Sequence, residues 1–255
     1  MIDSINQMTN DYYKSENLIS TKEHFSASGK YKLIVETYIT KPGCWNYTKG
    51  IIHNIETGSV IQEIKRNYCV FHHSFFFKNN QEWLFCGKTY YSQCFINLET
   101  GEIFDNSTES KPDSFCWANV KSNPDGNIII VEQCIWGGPY EIGFYDFTDP
   151  SIGWTELEFD NYQENYYLNI EWNYESKWLD NDTFEYIQKE DYSTKFQKFY
   201  DELTVEEELE SSAIENDLVS RMYYRVVLKK IDNKMRFMVT ESSPQHLIEI
   251  QNNNE

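Results

Sequence analysis

The stretch Asn97-Leu98-Glu99-Thr100-Gly101-Glu102-Ile103 nearly repeats Asn54-Ile55-Glu56-Thr57-Gly58-Ser59-Val60, 43 residues earlier, and each copy follows an apolar alternating run. Gly58 and Gly101 can each supply the positive φ that a tight hairpin turn demands without a Cβ clash. A second kind of punctuation recurs out of phase with the first. It comprises Ser26-Ala27-Ser28-Gly29-Lys30, Lys78-Asn79-Asn80-Gln81-Glu82, Asn123-Pro124-Asp125-Gly126-Asn127 and Asp180-Asn181-Asp182-Thr183. Two alternating turns per repeat imply four antiparallel strands per repeat, and a period of this length marks an array of identical supersecondary units.

Worked outward from those turns, the chain divides into four repeats, at about 18–66, 67–110, 111–160 and 161–250, preceded by a polar, aperiodic arm at residues 1–17 that is expected to be flexible. Strands are expected over Leu18–Phe25, Tyr31–Thr40, Trp45–Asn54 and Val60–Lys65 in the first repeat. The second has Tyr68–Phe77, Glu82–Lys88, Tyr91–Leu98 and Glu102–Asp105; the third has Phe115–Val120, Ile128–Ile135, Tyr140–Phe147 and Thr155–Phe159. Ile128 to Val131 is a continuous apolar run, the mark of a strand covered on both faces. The fourth repeat, with strands at Tyr167–Trp172, Phe184–Gln188, Arg221–Lys230 and Met235–Thr240, is interrupted over 193–220. There Thr204-Val205-Glu206-Glu207 has the form of a capping box, followed by Val205, Leu209, Ala213, Ile214 and Leu218 at helical spacing. A helical insertion is expected, dense in carboxylates.

Aromatic residues make up 16% of the chain, and such side chains suit half-buried pleated surfaces, so composition agrees with an all-β fold. No run approaches the roughly 18 uninterrupted apolar residues of a membrane span. The first seven residues carry neither a basic nor a continuously apolar region, which points away from a secretory signal and towards the cytoplasm. Cys44, Cys69, Cys86, Cys94, Cys116 and Cys134 are scattered through strand-like segments and read as reduced core residues. The net charge of −19 opposes phosphate backbones and anionic membranes, excluding nucleic acid and membrane as partners, while it would attract a basic protein.

The alternating turns, one polar before a strand and one Asp/Glu-Thr-Gly between the last two strands, resemble the blades of WD-repeat-like and related bacterial β-propellers. Cys134-Ile135-Trp136-Gly137-Gly138-Pro139-Tyr140-Glu141-Ile142, followed by Tyr145-Asp146-Phe147-Thr148-Asp149-Pro150, is similar to a segment of uncharacterised propeller-like proteins. The likeness covers about residues 18–240, and the chain departs from true WD repeats in lacking an opening Gly-His and a closing Trp-Asp pair. What the resemblance implies is an all-β, β-propeller-like domain over 18–250, with four four-stranded antiparallel blades and a helical insertion at about 193–220 in the last.

Candidate chemistry is sparse. Cys69, His72 and His73, with His53 and Cys86 on adjacent strands, are the strongest metal-like grouping, but strand alternation sends His72 and His73 to opposite faces, so no metal site closes. The expectation is one histidine buried and one exposed. No Gly-x-Ser-x-Gly elbow occurs, and none of His24, His53, His72, His73 and His246 stands in a context that marks a general base. Gly137-Gly138-Pro139 lacks the Lys and following helix of a phosphate loop. No catalytic residue, cofactor or metal is therefore assigned. The residues that could anchor a partner are the loop aromatics Trp45, Tyr90, Trp136 and Tyr140, together with Glu206, Glu207 and Glu210 of the insertion. The reading is a monomeric, non-catalytic, acidic interaction module with a basic protein partner; the competing class is a hydrolase or lyase with its site in the axial depression of the propeller.

Overall fold

The computed structural model describes residues 11–66, 70–87, 92–105, 116–134, 140–160, 176–193, 195–213, 220–231 and 234–241. The chain forms two compact units, Met1–Glu156 and Leu157–Glu255. The first holds three antiparallel four-stranded sheets, each a meander in sequence order. They are β1 (Leu18–Phe25), β2 (Tyr31–Tyr38), β3 (Tyr47–Asn54) and β4 (Val60–Arg66); β5 (His73–Lys78), β6 (Gln81–Gly87), β7 (Gln93–Asn97) and β8 (Ile103–Asp105); and β9 (Cys116–Ser122), β10 (Ile128–Cys134), β11 (Tyr140–Asp146) and β12 (Thr155–Glu156).

The repeated turns are built alike. Gly58 and Gly101 have φ of 71° and 74°. The Asn54 Oδ1 accepts from the Thr57 N–H at 3.0 Å, and the Asn97 Oδ1 accepts from the N–H groups of Glu99 and Thr100 at 3.0 and 3.3 Å. Asn54 N–H donates to the Ser59 carbonyl and Asn97 N–H to the Glu102 carbonyl, so one asparagine closes each turn from both sides. The other turns also correspond. Gly29 and Gly126, with φ of 74° and 77°, donate to the carbonyls of Ser26 and Asn123, whose side-chain oxygens accept from the N–H groups of Tyr31 and Ile128. In the second sheet Asn79 and Asn80 take φ of 51° and 62°, the two consecutive left-handed residues of a two-residue hairpin loop.

Strand alternation builds the core. Leu84 and Cys86 of β6 and Cys94 and Ile96 of β7 join Leu33, Val35, Ile52 and Ile64 of the first sheet. Trp83, Phe85 and Phe95, from the alternate positions, join Trp117, Val120, Ile129, Val131, Tyr145 and Phe147 of the third. The second sheet is thus covered on both faces, as its near-total burial demands. Aromatic rings fill the second interface in edge and tilted contacts: Phe95 lies 4.4 Å from Phe147 and 4.8 Å from Trp154. Ile128 to Val131 are all buried, as the apolar run implied.

Buried polar groups register one sheet against the next. Ser26 Oγ and the Ser28 N–H and Oγ of the first sheet's turn donate to the Glu82 carboxylate at 3.1, 3.0 and 2.5 Å. Lys78, one turn away, donates to the Gly126 carbonyl, the Asn127 Oδ1 and the Thr148 carbonyl at 3.3, 2.7 and 3.1 Å, and burial lowers its pKa. Gly126 lies so close that a Cβ would stand 2.4 Å from the Lys78 Cα.

The second unit holds β13 (Phe159–Asp160), β14 (Lys177–Trp178), β15 (Thr183–Ser193), β16 (Lys198–Phe199), β17 (Ser220–Ile231) and β18 (Lys234–Glu241). The path β13-β18-β17-β15-β14, with β16 also on β15, makes this sheet larger than the other three, and β13 pairs with β18 in parallel. The segment expected to end the third repeat divides: Thr155–Glu156 stays with β11, while Phe159–Asp160 crosses to the fourth sheet. The expected strand at Tyr167–Trp172 lies outside the described residues. Between β16 and β17 stands the expected insertion helix, α1 (Val205–Ala213); Ile214 and Leu218 lie outside the described residues.

Candidate interaction surface

Helix α1 begins as its sequence specifies. Glu207 N–H donates to the Thr204 Oγ1 at 3.3 Å, and Thr204 N–H donates to a Glu207 carboxylate oxygen at 2.9 Å. Two orphan donors of the first turn are satisfied reciprocally. That backbone bond, aided by Lys198, holds the Glu207 carboxyl below the usual carboxylate range.

Three acidic side chains of α1 then tie the helix to the segment before it. Lys198 Nζ donates to both Glu207 carboxylate oxygens at 2.9 Å, Lys195 Nζ donates to Glu210 at 2.7 Å, and the Tyr200 hydroxyl donates to Glu208. Glu206 stands exposed. The helix is turned so that Ser211 is fully buried, whereas Val205 and Leu209, one turn apart on the opposite side, are 69% and 68% exposed. The apolar stripe of the insertion faces outward.

In the first unit, Trp45 is 62% exposed in the connection between β2 and β3. Cys44 N–H donates to the Lys41 carbonyl to close a turn there, with Gly43 at φ 76°. Residues 11–17, the end of the arm expected to be flexible, instead pack beside it. Tyr12 stacks on Tyr47 with ring centroids 4.1 Å apart, Tyr13 meets Tyr38 edge-on at 5.3 Å, and the Tyr13 hydroxyl donates to the Arg66 carbonyl at 2.7 Å. Asn17 accepts from the Ile39 N–H, which pins the arm to the start of the same connection. Tyr90 and Trp136 lie outside the described residues; Tyr140 begins β11. The structure therefore displays Trp45 and Glu206, and places Glu207 and Glu210 in ion pairs that sequence spacing does not reveal.

The histidines do face opposite ways, but neither is exposed. His73 packs edge-on against His24 of β1, with centroids 4.2 Å apart, and its Nδ1 donates to the Phe71 carbonyl at 3.0 Å. His72 lies on the other side, donating to the Ala118 carbonyl, and burial together with the nearby Arg66 cation lowers its pKa to about 4. Both imidazoles are packing elements between sheets. Among the described residues, no three His, Cys, Asp or Glu side chains converge as metal ligands. Cys86 faces Cys94 across β6 and β7, and Cys116 faces Cys134 across β9 and β10, all four buried and reduced. No helix of the described residues is long and apolar enough to cross a membrane.

These four sheets, three of them regular four-stranded meanders, define an all-β, propeller-like protein. The chain belongs to the same family as uncharacterized protein R762 of Acanthamoeba polyphaga mimivirus, with which it shares 49% identity over 245 residues, 96% of this chain and 97% of that protein. No family model matches the sequence. Among solved structures, the β-propeller domain of Cps50 (Swd1) from Myceliophteria thermophila is similar with a TM-score of 0.40 and 7% identity, over 91% of this chain and 73% of that domain. The tricorn protease is similar with a TM-score of 0.41 and 12% identity, over 84% of this chain but only 18% of the protease.

Proposed function

We propose that this propeller-like protein is a non-catalytic, acidic interaction module of the cytoplasm, WD-repeat-like in use, which binds a basic protein as a monomer. The observation that carries the reading is the display of large apolar side chains, Trp45, Val205 and Leu209, on a chain of net charge −19. Exposed aromatic and aliphatic anchors supply contact area, and an acidic field speeds encounter with a basic partner and screens out acidic ones. The test is capture of partners on the immobilised full chain from its natural source at low and at high salt. A stoichiometric protein partner released by salt is expected. Turnover of a hydrolase or lyase substrate panel, with no such partner, would overturn the proposal.

A further inference from the structure

We infer that α1 is a docking helix whose outward stripe, Val205 and Leu209, seats in an apolar groove of a partner protein rimmed by lysine and arginine. This rests on the interaction-module reading and narrows it to one surface and one mode of recognition. A surface helix ordinarily turns its apolar stripe inward and its polar side outward. Helix α1 does the reverse, burying Ser211 and leaving Val205 and Leu209 more than two-thirds exposed. The orientation is fixed by the chain itself: the pairs Lys198–Glu207 and Lys195–Glu210 and the Tyr200–Glu208 hydrogen bond hold the helix by its acidic side chains. The capping box adds a defined start, so the stripe is presented preformed and a partner need not order it.

Residues one turn apart on a preformed helix are the minimal anchors of helix-in-groove recognition. The character of the groove follows from charge. Glu206 and Glu210 flank the stripe on one side, and Lys195 is the only cation paired with either among the described residues. A groove with basic walls complements that border, whereas a second copy of this chain would bring its own net charge of −19 against it.

The full chain carrying the photo-cross-linker p-benzoylphenylalanine in place of Leu209 is irradiated in an extract of its natural source at low salt, with the same group in place of Ile152, an 86% exposed residue of the first unit, as control. The protein joined at position 209 is then made recombinantly, and its affinity is measured by calorimetry. Leu209→Asp and Val205→Asp are expected to weaken binding at least tenfold, Glu206→Lys severalfold, and Ile152→Asp less than twofold, with affinity falling as salt rises. Circular dichroism and an unchanged melt show that the variants fold. The inference is overturned if position 209 cross-links within its own chain, to a second copy or to nothing, or if Leu209→Asp binds like the parent protein. A partner that binds with full affinity to the Leu209→Asp variant would leave the interaction module standing and remove α1 from it.

Discussion

Gly29→Ala and Gly126→Ala form a matched pair, because the two glycines occupy the same turn position with nearly the same φ, 74° and 77°. Both substitutions force an L residue into the left-handed region, at about 1.5 kcal/mol. Around Gly29 the added methyl meets nothing within 4 Å, so that is the whole effect. At Gly126 the methyl would stand 2.4 Å from the Lys78 Cα and 2.6 Å from the Phe77 carbonyl oxygen, backbone atoms that a rotamer change cannot move. The turn and the β5–β6 hairpin must separate, adding about 1.5 kcal/mol of overpacking strain. The bonds from Asn79 N–H to Asp125 and from Lys78 Nζ to Gly126 loosen as well, for about 1 kcal/mol more. The expected losses are therefore about 1.5 kcal/mol for Gly29→Ala and about 4 kcal/mol for Gly126→Ala. With a urea slope of roughly 2.5 kcal/mol/M, the midpoints fall by about 0.6 and 1.6 M. Tryptophan fluorescence reads the transition, since Trp83, Trp117 and Trp154 all lie at or beside the interface concerned. Equal midpoint shifts for the two variants would refute the claim that sheet-to-sheet contact, and not turn geometry alone, requires glycine at position 126.

Three further outcomes are expected. His72 has a folded pKa of about 4 against 6.5 when free, so the folded state binds fewer protons; its contribution is complete above pH 6.5 and is lost as pH falls towards 4. Urea unfolding at pH 7, 5.5 and 4 should therefore show the parent protein losing about 3 kcal/mol more than His72→Asn, and equal losses would show that His72 titrates normally. Thr204→Ala removes one half of the capping box and should destabilise α1 by about 1 kcal/mol, seen as faster amide exchange across the helix while the sheets of the first unit keep their protection. Cys86, Cys94, Cys116 and Cys134 should react with a thiol reagent only as fast as the protein opens, and prompt labelling of any of them in native protein would contradict their burial.

What could be read in advance tracks how local the encoding is. The turns at Gly29, Gly58, Gly101 and Gly126 are legible because an Asn or Ser oxygen and a residue tolerant of positive φ act within six residues of each other. The capping box at Thr204 is legible for the same reason. The fate of Phe159–Asp160 is not, since period-two alternation says that a segment is a strand without naming its partner, and the partner lies some 75 residues on. His72 and His73 show the boundary within one dipeptide: alternation sends them to opposite faces, but the half-burial of both is supplied by β1 and β9. Glu82 and Lys78 flank a polar turn and look like solvent-facing charges, yet both are buried by turns of neighbouring sheets. The outward stripe of α1 escapes the sequence because a helical spacing of apolar residues fixes a face without saying whether that face is covered.

The partners that bury Glu82 and Lys78 are separated from them by 48 to 70 residues, always across consecutive sheets. During synthesis the first sheet cannot seat its Ser26–Ser28 turn until the β5–β6 hairpin has left the ribosome, and that hairpin in turn stands bare until Gly126 and Thr148 emerge. Assembly follows the ribosome one sheet behind, each newly released turn locking the sheet before it. A nascent chain whose residues up to Asp105 have emerged would hold its first interface complete and present the rings of Trp83, Phe85 and Phe95 to solvent. The third sheet, and not the second, is thus the point in translation at which the rings of Trp83, Phe85 and Phe95 leave solvent and cease to need protection from neighbouring chains on the polysome.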